Sequence, residues 1–379
     1  MRNSRRIAAV AAALGTVILA AGCGSSGSSG SSSSSGTDFS KVTSLAKGGG
    51  MAALIKAAKA EGTLNVITLP SNWANYGTIM KDFTAKYGIK IVDANPEGSS
   101  QDEINAMEQE KGQSRAPDVL DMGTSFAIEA QTKGLLAPYE VSTWSDIPAS
   151  SKSAQGDWYA DYGGYVAIGY DPSKVKIAPT SFKSLLNPAY KHEVAINNNP
   201  TEAAAAFDAV WAAALANGGS YSNIAPGVTF FKKLDKAGNF VPVAAGPTTV
   251  ENGSTPIVVW WDYLLASEIQ SAVKGFKVVI PSDASFAAYY DQAISATAPH
   301  PAAARLWEEF LYSTEGQNLW LEGEARPIEL STLVANGTVN KAAYAALPPA
   351  PSGTLTFPSQ AQSTAAENVV TQTWSSVVG

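Results

Sequence analysis

The chain has 379 residues, 45% of them hydrophobic and 16% charged, with 26 basic residues against 33 acidic and a net charge of −7. That balance argues against a nucleic-acid partner, which would want a basic stripe. The single cysteine, Cys23, rules out an intramolecular disulfide and a cysteine-based zinc site.

The N-terminus reads as an export signal. Met1 to Arg6 carries three arginines and no acid, and Ile7 to Ala21 is almost wholly apolar before the small residues preceding Cys23. The run is shorter than the roughly 18–20 apolar residues that span a bilayer comfortably. Leu19-Ala20-Ala21-Gly22-Cys23 resembles a bacterial lipobox, which implies cleavage after residue 22 and acylation of Cys23. Residues 24–36 are only glycine and serine, which bury no apolar surface and cannot offset their ordering entropy. Residues 23–37 are therefore expected to be a lipidated cysteine with a flexible tether, reaching about 20 Å. Residues 38–379 hold 23 basic side chains against 33 acidic and are enough for two globular lobes.

Beyond the tether, short apolar runs alternate with amphipathic helices, which points to α/β layers. Thr63 to Leu69 is a strand stopped by Pro70. Tyr76, Ile79, Met80, Phe83 and Tyr87 then form one helix face, ended by Gly88, and Ile89 to Val92 is a second strand. A helix over Gln101 to Lys111 and a strand over Asp118 to Met122 come next. Tyr165 to Tyr170 and Val194 to Ile196 read as strands, and Thr201 to Ala216 as an alanine-rich helix. Pro256 to Tyr263 and Lys277 to Ile280 are further strands. Ala302 to Tyr312 is helical, and Thr314-Glu315-Gly316-Gln317 fits a capping box that opens another helix.

Ligands of open α/β sheets sit beyond the carboxyl ends of strands. Trp73, Asn75 and Tyr76 come after the first strand; Thr124 and Ser125 after Asp118 to Met122; Asn198 and Asn199 after Val194 to Ile196. The spacing of Tyr76 also makes it a core residue, and Thr124 and Ser125 would equally serve as helix caps. Trp260-Trp261-Asp262-Tyr263 is the most informative cluster: indole faces beside a carboxylate suit an organic ammonium. Tyr289-Tyr290, the only adjacent tyrosine pair, could offer phenolate to ferric iron.

No zinc-protease, nucleophile-elbow or phosphate-loop pattern occurs, so no catalytic role and no cofactor is expected. The acidic pairs Asp102-Glu103 and Glu308-Glu309 read as solvated helix faces.

Several segments resemble the extracellular solute-binding proteins of ABC importers, in the type II periplasmic-binding class that serves ferric iron, polyamines, thiamine and phosphonates. The pieces are Leu64-Asn65-Val66-Ile67, Ala116-Pro117-Asp118-Val119, Gly169-Tyr170-Asp171 and Pro299-His300-Pro301. The most specific is Phe310-Leu311-Tyr312-Ser313-Thr314-Glu315-Gly316-Gln317. The resemblance implies a two-lobe fold, each lobe a mixed sheet flanked by helices, with two hinge crossovers. Lobe one would be residues 38–163 plus 286–379, and lobe two residues 164–285. It also implies a monomeric lipoprotein on the outer face of the cell membrane, delivering a small solute to an ABC permease. Iron-binding relatives use adjacent tyrosines where tryptophans stand here, so a polyamine or similar organic cation is the expected guest. Ferric iron, a phosphonate or thiamine are the alternatives within the class, and an exported enzyme or scaffold lipoprotein is the alternative outside it.

Overall fold

The computed structural model describes residues 37–351 and 357–377; the expected signal, Cys23 and the Gly/Ser tract lie outside them. The first elements are α1 (Met51–Glu61), β1 (Thr63–Ile67), α2 (Tyr76–Tyr87), β2 (Lys90–Ala94), α3 (Ser100–Gln109), β3 (Val119–Gly123), α4 (Thr124–Thr132) and β4 (Leu136–Ala137). The middle of the chain forms β5 (Trp158–Tyr170), β6 (Val194–Ile196), α5 (Ala204–Ala216), α6 (Ala225–Lys236), α7 (Pro247–Glu251), β7 (Ile257–Trp261), α8 (Asp262–Leu264) and β8 (Lys277–Val279). It ends with β9 (Ala287–Ser295), α9 (Pro301–Leu311), α10 (Thr314–Glu322), β10 (Arg326–Pro327), α11 (Leu330–Ala335), α12 (Lys341–Ala346) and α13 (Gln360–Thr373).

Local sequence explains most of these boundaries. The α2 face Tyr76, Ile79, Phe83 and Tyr87 is buried, and Gly88 ends the helix in the left-handed region at φ 70°. Helix α5 begins at Ala204, three residues later than its composition suggests. Asn199 Oδ1 accepts from the Thr201 N–H and hydroxyl, which holds that segment as a turn. The cap of α10 is Ser313, one place before the expected threonine, because its hydroxyl accepts from the Gly316 N–H. Gln317, expected to reach back to the cap, instead donates to the Leu311 carbonyl and accepts from the Glu329 N–H.

The architecture is a two-lobe mixed α/β fold. Strands β1 and β2 pair in parallel. The remaining strands take the order β3-β9-β5-β7-β6, with β4 against β9 and both β8 and β10 against β5. The two lobes thus share a strand: the thirteen-residue β5 pairs with β9 and β10 in its first part and with β7 and β8 in its last. Within the first part the register with β9 shifts between Ala160 and Gly163, a bulge. Glycine is required there for space, since a Cβ on Gly163 would stand 2.1 Å from the Ala288 carbonyl oxygen and one on Gly164 would stand 2.3 Å from Asp262 Oδ1. Among the described residues, no helix is long and apolar enough to cross a membrane.

Candidate functional site

The loop after β1 and the ends of β3 and α3 build one wall of a deep cleft. Trp73 donates from Nε1 to the Tyr162 hydroxyl at 2.6 Å, and that hydroxyl donates to Asp121 Oδ2 at 2.9 Å. Tyr76 donates to the same oxygen at 2.8 Å. The other Asp121 oxygen is buried without a partner. Glu103, on α3, accepts from the Thr68 hydroxyl at 2.6 Å and from the Asp121 N–H at 3.0 Å. Burial raises the pKa of both carboxyls, that of Asp121 against the pull of two tyrosine hydroxyls.

The opposite wall comes from the loop after β6, from α7, from the end of β7 and from the helical turn that follows α8. The cavity between the walls has a volume of about 420 Å³ and takes Thr68, Trp73, Glu97, Glu103 and Asp121 from one side. Asn197, Asn198, Thr249, Trp260 and Glu268 come from the other, and Tyr290 from β9. Glu268 has one buried oxygen without a partner, and burial together with the charge of Glu97 pushes its pKa up to about 8. No lysine, arginine or histidine is among the described residues that line this cavity. Its aromatic side is ordered: the Trp73 ring meets Trp260 edge-on at 5.7 Å and Tyr290 at 5.8 Å.

A second, smaller cavity of about 50 Å³ shares Ala204 with the first. Thr124 and Ser125 at the start of α4, Asp208 on α5, and Tyr289 and Asp291 on β9 line it. Asp208 and Asp291 are 8% and 1% exposed, and Asp291 Oδ2 has no partner. Burial raises both carboxyls well above their usual range. Gly123, in the lining of the smaller cavity, meets Ala204 of α5 so closely that a Cβ on Gly123 would stand 2.2 Å from the Ala204 Cβ.

The residues expected from sequence divide between these places. Trp73, Asn198 and Trp260 come together in the larger cavity, and Thr124, Ser125 and Tyr289 in the smaller. Tyr289 and Tyr290 are neighbours on a strand, so their side chains leave opposite faces and enter different cavities. Asn75 donates to the Leu319 carbonyl, Tyr76 is a buried support for Asp121, and Asn199 closes its own turn. Trp261 is buried, with its ring 6.3 Å from those of Tyr263 and Tyr290.

Asp262 requires a correction. Expected to face the guest, it is fully buried, with Oδ2 paired to Arg326 at 2.8 Å and Oδ1 accepting from the Tyr165 N–H at 2.9 Å. It is a tie between the end of β7 and β10, already satisfied by a cation of the chain itself.

The acidic pairs read as solvated faces also differ. Glu308 and Glu309 are buried, Glu309 accepting from Tyr139 and Ser142, and Glu103 is a cleft residue. Glu97, Glu103, Asp121, Glu268, Asp208 and Asp291 are the functional candidates that sequence reasoning missed. A lone acid in the loop after a strand, as at Glu97 after β2, is the only local signal among them.

A family model described as "Bacterial extracellular solute-binding protein" matches residues 114–349. Solved structures share the fold at low identity. The periplasmic binding protein AfuA from Actinobacillus pleuropneumoniae, with exogenous fructose-6-phosphate bound, is 19% identical at a TM-score of 0.67, covering 84% of this chain and 98% of that one. Iron-bound HitA from Pseudomonas aeruginosa is 20% identical at a TM-score of 0.60, covering 83% and 99%. A candidate spermidine/putrescine ABC transporter from Listeria monocytogenes is 14% identical at a TM-score of 0.58, covering 75% and 88%. Guests as different as a sugar phosphate and a ferric ion occupy this one fold.

Proposed function

Since the chain belongs to the bacterial extracellular solute-binding proteins, we propose that it captures an organic cation of the polyamine kind between its lobes and delivers it to an ABC permease. The observation that carries this reading is the acidic lining of the seam. Six carboxyls line the two cavities, and among the described residues lining them there is no basic side chain. Unpaired carboxylates are costly to bury, and an ammonium guest offsets that cost with charge-assisted hydrogen bonds of about 1.5–3 kcal/mol each. The edges and faces of Trp73, Trp260 and Tyr290 add cation–π attraction and cover the methylene segments of such a guest.

The same charges supply a mechanism of closure. Glu97, in the loop after β2, and Glu268, in the helical turn after α8, line opposite sides of the cavity, and the Glu97 charge helps to keep Glu268 protonated while the cleft is empty. A cation between them favours the Glu268 anion, which gives up its proton to solvent and pairs with the guest alongside Glu97, so the closed arrangement gains differentially from the guest. The lobes are taken as residues 38–163 plus 286–379 and residues 164–285, with hinges in β5 and β9. Acylation at Cys23 would hold the protein, as a monomer, at the outer face of the membrane within reach of its permease.

Other guests of this fold class fit less well. A sugar phosphate or phosphonate would meet carboxylates with no base to answer it, and ferric iron would find Tyr289 and Tyr290 in separate cavities. Thermal unfolding with spermidine, putrescine, thiamine, glucose-6-phosphate and ferric citrate in turn tests the reading. Spermidine is expected to raise the melting temperature, quench tryptophan fluorescence and be recovered unchanged. Stabilisation by the sugar phosphate with no response to any cation would overturn it.

A further inference from the structure

The family match stops at residue 349, yet residues 357–377 are well packed and reach across the molecule. The arm starts against the smaller cavity, where the Phe357 ring lies 5.6 Å from Tyr289, and Phe357, Pro358 and Ser363 form part of the lining. Helix α13 then buries Ser363, Ala366 and Val370, a face of i, i+3 and i+7 spacing. That face touches α4, which comes after β3 in the first lobe, and also α6, which packs on α5 in the second. Beyond it Trp374 anchors the end, its ring 5.5 Å from Phe231 and 6.4 Å from Phe240, both in the second lobe. Gln362 adds a polar tie to the Ser222 hydroxyl at 2.9 Å.

Two lobes joined through β5 and β9 need no third connection to fold, and a helix packed on both resists their separation. We propose that the C-terminal arm is a strap across the back of the seam: it holds the lobes in the closed arrangement, walls the smaller cavity, and slows guest release. The strap stands apart from the nature of the guest, because α13 docks on α4 and α6 whatever the cavities hold.

The test uses the full chain carrying Trp374→Ala, with Trp374→Phe as the conservative control and Gln362→Ala as a milder variant should the first fail to fold. Small-angle scattering and amide exchange are recorded without added solute, then stopped-flow release of spermidine. The expected result is a larger radius of gyration and amide exchange in α4 and α6 at least about tenfold faster, as closed-state contacts become locally open. Spermidine release is expected to be about tenfold faster, with Trp374→Phe restoring each property. An arm that exchanges freely while the radius of gyration and the α4 and α6 amides stay as in the parent chain would overturn the strap. Spermidine that fails to bind any variant, with the scattering change present, would instead count against the cation reading and leave the strap standing.

Discussion

Glu268 gives the sharpest test of the electrostatic argument. In the guest-free cleft its carboxyl titrates at about 8, because burial and the nearby Glu97 charge disfavour the anion. At neutral pH it is therefore mostly protonated. A cation beside it favours the anion, so binding expels a proton wherever the pH lies between the bound and the free values. If the bound carboxyl returns toward its ordinary 4.5, apparent affinity for spermidine rises about 50-fold from pH 6 to pH 8 through this group alone. Replacing it as Glu268→Gln keeps the volume and removes the titration. The variant's affinity should change by about 50-fold less over that range, and at pH 8 it should bind about tenfold more weakly than the parent for want of a charge-assisted bond. Isothermal titration at pH 6, 7 and 8, each in two buffers of different ionisation enthalpy, counts the released protons directly. Parent affinity that is flat across the range, or a Gln variant that releases as many protons as the parent, would refute the reasoning.

Two further changes probe neighbouring parts of the cleft. Trp260→Phe keeps much of the packing against Trp73 but weakens the electron-rich face. Spermidine affinity should fall by about threefold to tenfold, on the scale of desolvated cation–π contacts, with fluorescence quenching reduced; unchanged binding would remove Trp260 from the site. Arg326→Met leaves Asp262 buried without its cation, with backbone N–H groups alone to answer it, and should cost about 3–5 kcal/mol in chemical denaturation. Adding Asp262→Asn should recover much of that loss, whereas Asp262→Asn alone should change spermidine affinity by less than about twofold; a larger drop would return Asp262 to the guest's side.

How far the sequence can be read depends on the range of the forces involved. The α2 face and its glycine stop are legible because they depend on residues a few places apart. The hinge topology comes from the Phe310 to Gln317 segment and its resemblance, since no local pattern encodes that β5 serves two lobes. Trp73 and Trp260 stand out because large aromatics at strand ends have few other uses. Glu103 does not, because Asp102-Glu103 on a polar helix looks solvated until Thr68 and the Asp121 N–H close over it. Asp262 misleads for the same reason in reverse: its partner Arg326 is 64 residues away. The division of Tyr289 from Tyr290 depends on the phase of β9, which its pairing with β3 and β5 fixes.

The meeting of Gly123 with Ala204 has a consequence for delivery. The jaws shut only because one of the facing surfaces is bare backbone, and alanine at position 123 would set a methyl group 2.2 Å from another carbon. Such a doorstop leaves the acids and indoles in place while keeping the mouth ajar. A permease that recognises only the shut form would pass over a loaded protein of this kind, so a single added carbon could uncouple catching the cargo from handing it on.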